Sequence, residues 1–502
     1  MKKKKILLIV LPIVLVVVIA SVFAILYFAT DIFKSNDQTF WKYFSNNSQV
    51  FSLLENGNKK LQKQFKETNS YSSNGTLTFS MQNGEENSQT IDVITTSRRD
   101  NITGRVYADA TLKNQEAEIL KVSYINSEDV YAIKCDEVLT NYIGFRNSNL
   151  KEFAKNMGVA ENGLAVMPDS IDLNSIEELF QLTDAEKEHI VNTYYKVITN
   201  TISKEQYKKV GKKQITIEGS SYTTNLYQLT LDGDMIKQVI VNCLTTLKED
   251  SSTLVSISNR LQTLLYETEY TDITNLASKI EEQINQIQNT TIDTQMTISV
   301  YEQKGKTVRT TIEISTGGSL TIDLLDNRAI LTIVAPTNTA DTTDQNENNV
   351  VKITLSKTSN SSAITNTIQI MPSVSDVSQG ITISSSLGSI QNSNINNSYS
   401  ISINGTENIT TDISYDTSIS AVTQVDEIME LKNSNTVIMN NYTKEQLTPF
   451  LQNIIVKAQE VLESKLQILG TSMNAEGTQN DGAIGQNTNE TTNEITDNNV
   501  EI

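Results

Sequence analysis

Residues 6–29 hold no charged side chain, and this run constrains the chain more than any other feature. Twenty-two of its 24 residues are apolar. As a helix it reaches about 36 Å, enough to cross a hydrocarbon core of roughly 30 Å with some tilt. Lys2, Lys3, Lys4 and Lys5 precede it. The positive-inside rule then keeps the N-terminus in the cytoplasm. The rival reading is a cleavable signal peptide, whose apolar region is usually shorter and ends in a small-x-small site. Here the run ends Leu26-Tyr27-Phe28-Ala29-Thr30, without such a site. The sequence therefore predicts a single-pass signal anchor. Ile6, Leu7, Leu11, Val16, Ile19, Phe23, Leu26 and Phe28 are its membrane-facing candidates. The expected location is the cell membrane, with the bulk of the chain extracytoplasmic.

Charge and composition narrow what lies beyond. The formal net charge is −19, and without the four N-terminal lysines 36 bases face 59 acids. Phosphate backbones are bound by clustered Lys and Arg, so a nucleic-acid binder working by bulk charge is excluded. Two Cys and one His exclude a disulfide scaffold and the usual zinc ligand sets. Only one stretch is apolar enough to span a bilayer, which excludes a polytopic transporter. Ten Asn-x-Ser/Thr sequons match chance for a chain with 51 Asn and 107 Ser plus Thr.

The rest of the chain reads as strands and amphipathic helices. Residues 31–66 read as a helical stalk. Its Phe40-Trp41-Lys42-Tyr43-Phe44 cluster is either an interfacial anchor or a helix docking on the main domain. From Tyr71 to Ile143 the apolar period is two, with a hairpin cue at Asn83-Gly84. Thr183 and Glu186 form a capping-box pattern that opens a helix. Asp234 is expected to cap another helix, carrying Ile236, Val239, Ile240, Cys243 and Leu247. Ile273, Leu276, Ile280, Ile284 and Ile287 give a third. Residues 295–416 alternate Ile with Thr, Ser and Asn, the pattern of antiparallel strands with one buried and one wet face. Turns are expected at Lys304-Gly305, Asp326-Asn327 and Asn404-Gly405. A closing helix starts at Thr443 or Thr448, with Pro449 in its first turn, and stops at Gly470. The tail 471–502 has six acids, no Lys or Arg, and reads as disordered.

The predicted fold class is α+β. A single N-terminal transmembrane helix precedes a large curved antiparallel β-sheet packed with amphipathic helices. The predicted divisions are 1–30 (cytoplasmic stub and anchor), 31–66 (stalk), 67–290 (first α+β lobe), 291–470 (β-rich second lobe with closing helix) and 471–502 (acidic tail).

No motif fixes a reaction. His189, the only histidine, sits in a helix and reads as bland. Cys135 and Cys243 read as small buried hydrophobes, with pairing left open. Ser148-Asn149-Leu150-Lys151 matches S-x-x-K without the companion K-T-G and S-D-N motifs. Asp232-Gly233-Asp234 lacks the Glu that closes a calcium loop, so turn plus helix cap is the better reading. A glycosidase pair cannot be picked from 59 acids, because its pairing is spatial. Catalytic, cofactor and metal residues are accordingly expected to be none, and no enzyme is expected.

Tyr142-Ile143-Gly144-Phe145-Arg146-Asn147, Asn149-Leu150-Lys151-Glu152-Phe153-Ala154, Met157-Gly158 and Pro168-Asp169-Ser170-Ile171-Asp172 resemble uncharacterised signal-anchored envelope proteins of clostridial bacteria. So do Leu226-Tyr227-Gln228-Leu229-Thr230-Leu231 and Leu247-Lys248-Glu249-Asp250. The layout looks like the LolA/LppX type of lipoprotein fold. That resemblance implies a curved sheet whose space against the helices holds acyl chains. This chain departs from it by its anchor and its longer β-rich second half. The expected function is a non-enzymatic envelope protein binding a lipid or other apolar ligand between sheet and helices. The alternative is a cell-surface structural or protein/wall-interaction module, with a hydrolase using paired acids behind it. The expected partner is the membrane, and no nucleic acid.

Overall fold

The computed structural model describes residues 35–55, 57–83, 87–114, 117–127, 129–159, 170, 183–265, 273–335, 350–371, 379–405 and 409–475. Eighteen strands form one sheet. A first antiparallel meander runs through β1 (Tyr71–Asn83), β2 (Asn87–Arg99), β3 (Val106–Asn114), β4 (Ala117–Ser127), β5 (Val130–Cys135) and β6 (Tyr142–Arg146). A second starts with β7 (Tyr207–Ile217), β8 (Ser220–Leu231), β9 (Met296–Gln303), β10 (Lys306–Ile314), β11 (Ser319–Leu325) and β12 (Arg328–Val334). It continues through β13 (Val350–Ser359), β14 (Ala363–Met371), β15 (Gly380–Gly388), β16 (Asn394–Asn404) and β17 (Ile409–Ala421). β1 pairs with β17 from Tyr71 to Asn83 and welds the two meanders together. β18 (Thr436–Ile438) lies parallel to β6, so the sheet is mixed. Among the described residues its edges are β18 and β7.

The alternation explains the strands. Registers such as Ile353↔Ile370, Ile370↔Ile381 and Ile381↔Ile403 put Ile beside Ile on one face. The other face carries hydroxyl rows: Thr78 donates to Asp92 at 2.7 Å, and Thr365 to Ser386 at 3.0 Å. Two-residue hairpins set the register. Lys304 and Gly305 both have positive φ (52° and 83°), the type I′ signature, between Gln303 and Lys306. Asp326-Asn327 joins Leu325 to Arg328. The expected Asn83-Gly84 turn extends into residues 84–86, outside the described residues.

Ten helices accompany the sheet among the described residues: α1 (Asn36–Ser45), α2 (Gln49–Ser52), α3 (Gly57–Thr68), α4 (Leu150–Asn156), α5 (Asp184–Ile190), α6 (Lys196–Thr201), α7 (Gly233–Glu249), α8 (Ser251–Leu265), α9 (Ile273–Gln288) and α10 (Lys444–Ala475). Residues 36–68 lie against the sheet rather than standing clear of it. Phe40, Trp41 and Phe44 of α1 join Tyr207, Leu229, Ile298, Val300 and Ile312 in the largest apolar cluster, with Ile198 and Ile236 alongside. Val50 and Leu53 pack on Ile322, Leu324, Ala329 and Leu355. Phe65 packs on Ile395 and Ile419. The segment thus crosses the sheet from β7 towards β17 and then enters it as β1. Polar contacts pin it. Asn47 donates to Thr310 Oγ1 at 2.8 Å, Gln62 to the Gly388 carbonyl at 3.1 Å, and Lys357 to the Glu55 carbonyl at 2.7 Å.

The expected fold class needs correction. Among the described residues no helix is long and apolar enough to cross a membrane. The proposed span, with Ile6, Leu7, Leu11, Val16, Ile19, Phe23, Leu26, Phe28 and the flanking Lys2, Lys3, Lys4 and Lys5, lies outside the described residues. What the structure does hold is a single large mixed sheet of 18 strands. Length and hydropathy of a run do not by themselves establish a helix, and the β-rich remainder dominates the fold.

Two helix boundaries also differ from expectation. The cap of α7 is Asp232, which accepts the Met235 amide hydrogen at 2.8 Å, and Asp234 falls in the first turn. α10 runs from Lys444 past Gly470 to Ala475, with Pro449 inside it. The Pro449 ring removes one amide donor near the start. Gly470 is no barrier in a helix that already has 26 residues of propagation behind it.

Candidate functional site: an apolar sheet face and the groove beneath the last helix

The face that receives α1–α3 continues far beyond them. Neighbouring registers place Ile353, Ile370, Ile381 and Ile403 in one row. Ile401, Ile413, Phe79 and Ile91 form the next stretch across β16, β17, β1 and β2. Leu77, Val93, Leu112 and Leu120 carry it across β1 to β4. The nine strands β13–β17 and β1–β4 span about 40 Å at sheet spacing. Phe79 is 41% exposed, Met81 53% and Ile403 41%, values that a packed core does not leave. Exposed apolar residues gathered on one face make it a candidate interaction surface.

At one end the face deepens into a groove of about 480 Å³ under α10. Leu112, Leu120, Val122, Ile133 and Cys135 supply the sheet wall. α10 supplies Ile454, Ala458, Val461 and Leu462, which share one side of a helix at spacings of three to four. The volume falls within the range of small-molecule pockets. Ile119, Val138, Leu139, Lys134 and Lys465 complete the lining. Lys134 pairs with Asp136 at 2.9 Å, so one cation of the rim is already compensated. The thiol of the lining, Cys135, is not activated. Burial raises the Cys135 thiol above its usual range, and its hydrogen bond to Glu137 at 3.3 Å raises it further. A thiol so placed stays protonated. What the groove offers is apolar surface.

The other sequence candidates lie apart from it. Cys243 is free, as is Cys135, and packs beside the main cluster, where burial pushes it to about 11. His189 Nε2 meets Asp250 Oδ2 at 2.8 Å. Burial works against the Asp250 carboxylate, but hydrogen bonds from Thr253 and His189 outweigh it and hold the group at about 2. This cluster joins α5 to the start of α8. Ser148 donates its hydroxyl to Asp129. Among the described residues no group of three His, Cys, Asp or Glu side chains gathers to hold a metal.

Of the groove residues, sequence reasoning singles out Cys135 alone, and as a small buried hydrophobe rather than as part of a site. Their alternation was visible, for Cys135 shares the Tyr131/Ile133 face, but strand period does not reveal which part of a face a helix leaves bare. For the aromatic cluster the structure chooses docking: Phe40 and Phe44 are 1% exposed, and Trp41 donates to the Tyr207 hydroxyl at 2.8 Å.

Comparison with known proteins adds a family and no activity. A family model described as a family of unknown function (DUF6583) matches residues 1–475. None of the curated proteins matches. Among solved structures, a chain from work on asymmetric conductivity of engineered proteins is 8% identical, covers 69% of this chain and 99% of its own, and has a TM-score of 0.15. A mutant porin of Rh. blastica is 8% identical over the same shares, with a TM-score of 0.16. A triple mutant of the Rhodopseudomonas blastica porin is 9% identical over the same shares, at 0.14. Scores this low carry no argument about fold or function.

Proposed function

This chain belongs to that family of unknown function (DUF6583), and on that premise we propose that it is a non-enzymatic envelope protein that binds the acyl chain of an amphiphile. The observation that carries the reading is the apolar face, partly exposed among the described residues, that leads into the groove between β3–β5 and α10. Apolar side chains left bare cost little when an acyl chain covers them, at roughly 25 cal/mol per Å² removed from water. The resemblance to signal-anchored clostridial envelope proteins forms part of the same proposal.

A photoreactive fatty acid fed to cells expressing the full chain tests it. Cross-linked peptides should contain Ile133 or Leu462, and Val122→Glu with Ile133→Glu should remove them. Cross-links that never reach these peptides sink the reading. The location is proposed from residues 2–29: the cell membrane, with the described residues on its outer side. Protease added to intact protoplasts should then degrade the described residues. Full protection would refute it.

A second reading, a wall- or protein-interaction module, draws on the hydroxyl-lined opposite face. Retention on isolated peptidoglycan would favour it.

A further inference from the structure

β7 is an edge strand with an unusual charge. Four of the six residues 208–213 are lysines, Lys208, Lys209, Lys212 and Lys213, in a chain of net charge −19. All four are exposed. Lys209 lies 5.8 Å from the Tyr227 ring centroid, and among the described residues none of the four is held in an ion pair. A slip in register between Lys209 and Gly211 sends Lys209 and Lys212 to one face of the sheet and Lys208 and Lys213 to the other. Long lysine stems therefore reach past the edge from both sides. The adjoining strand β8 has no charged residue at all. Four acids lie nearby: Glu205 precedes the strand, Glu218 at the hairpin tip is engaged by Arg328, Glu302 two strands in accepts from Asn225, and Asp37 of α1 acts on Tyr207.

The edge also lies where the chain enters the fold. Tyr207, the first residue of β7, accepts the Trp41 indole hydrogen bond. Ser35 is six residues back along α1, about 9 Å at helical rise. The described residues thus begin, at Ser35, close to β7. Lysines on an edge also discourage pairing with foreign strands. That role needs one or two charges, and it does not require them beside this entry point.

We propose that the β7 edge docks on anionic lipid headgroups, holding the sheet edge-on to the bilayer. The proposal rests on the location argued above and not on the acyl-chain reading. Each lysine near an anionic surface is worth roughly fivefold in affinity.

Lysine acetylation footprinting of the full chain in nanodiscs tests it. Discs of phosphatidylcholine are compared with discs containing phosphatidylglycerol. Labelling of Lys208, Lys209, Lys212 and Lys213 should fall at least fivefold in the anionic discs. Lys432, 62% exposed and just before β18 at the opposite edge of the sheet, should be unchanged. High salt should restore labelling, since these contacts are screened. Equal labelling in both discs overturns the proposal while leaving the location standing. Failure to enter discs at all overturns both. Protection in neutral discs that disappears when residues 476–502 are removed also overturns it, and assigns the edge to the chain's own acidic tail. Protection by a soluble polyglycerol phosphate alone overturns it in favour of a wall polymer. The variant K209E/K212E, altered only at exposed positions, should lose the lipid-dependent difference.

Discussion

Glu186 shows how much one carboxylate can hold. It accepts the Thr183 amide hydrogen at 2.7 Å, the Arg260 guanidinium at 2.8 Å and the Ser256 hydroxyl. The Arg260 contact is the main reason its pKa falls to about 2. A carboxylate depressed in the folded state stabilises the fold above its unfolded pKa, near 4.5. That stability is lost as pH falls through the folded value. Acid should therefore loosen the α5–α8 contact between about pH 4.5 and pH 2, with Asp250 contributing in the lower part of the window. Glu186→Gln keeps a capping-box side chain but deletes the charge. It should cost about 1 kcal/mol at pH 7, once solvent screening is allowed for, and flatten the pH dependence in that window. Urea titrations from pH 7 to pH 2.5 read both. A variant with the wild-type slope would show that the pair is not formed in solution. Capping at this residue was legible in the sequence because Thr183 and Glu186 are three positions apart. Its partners Ser256 and Arg260 were not, since they lie some 70 residues away.

Elements were legible where their signal is local. Lys304-Gly305 fixes a type I′ hairpin because Gly305 takes a positive φ freely and the flanking strands alternate in phase. The Phe40–Phe44 cluster was ambiguous because rings that suit a membrane interface also suit a protein core. Only the distant strands β7–β10 decide between them. In the structure Phe40 stacks on Phe44 at 5.5 Å and meets Trp41 edge-on at 5.4 Å. Phe40→Ala should therefore cost about 3–5 kcal/mol, measured as a shift in the urea midpoint of the full chain. A cost under about 1 kcal/mol would place α1 off the sheet. The entry to α7 is equally tight. A Cβ on Gly233 would sit 1.6 Å from the Ile292 carbonyl oxygen, so Gly233→Ala should move the start of α7 away from the segment that leads from α9 into β9. Loss of amide protection at Met235 and Ile236 in hydrogen exchange would report it, and unchanged protection would contradict the packing.

At the scale of the whole molecule, the sequence showed a sheet with one apolar face but not how its strands are ordered. The contact that joins the two meanders pairs Tyr71 with Ala421, 350 residues apart, and no local pattern encodes it. The same distance hides the bare part of the apolar face, because Phe79, Ile413 and Ile401 become neighbours only through that pairing. This gives a test that separates folding from binding. Phe79→Thr with Ile401→Thr replaces two exposed apolar side chains by a residue that suits strands. Since both sites are over a third exposed, stability should change by less than about 1 kcal/mol. If the face binds acyl chains, each lost side chain removes apolar contact worth about 1.5 kcal/mol or more. Affinity for a fluorescent polyene fatty acid should then fall at least tenfold relative to wild type. Ile330→Thr is the control in the opposite sense. It is 4% exposed on the other side of the sheet and should lower stability while leaving affinity in the folded protein unchanged. Unaltered affinity in the double variant would mean that the exposed apolar rows meet something other than an acyl chain.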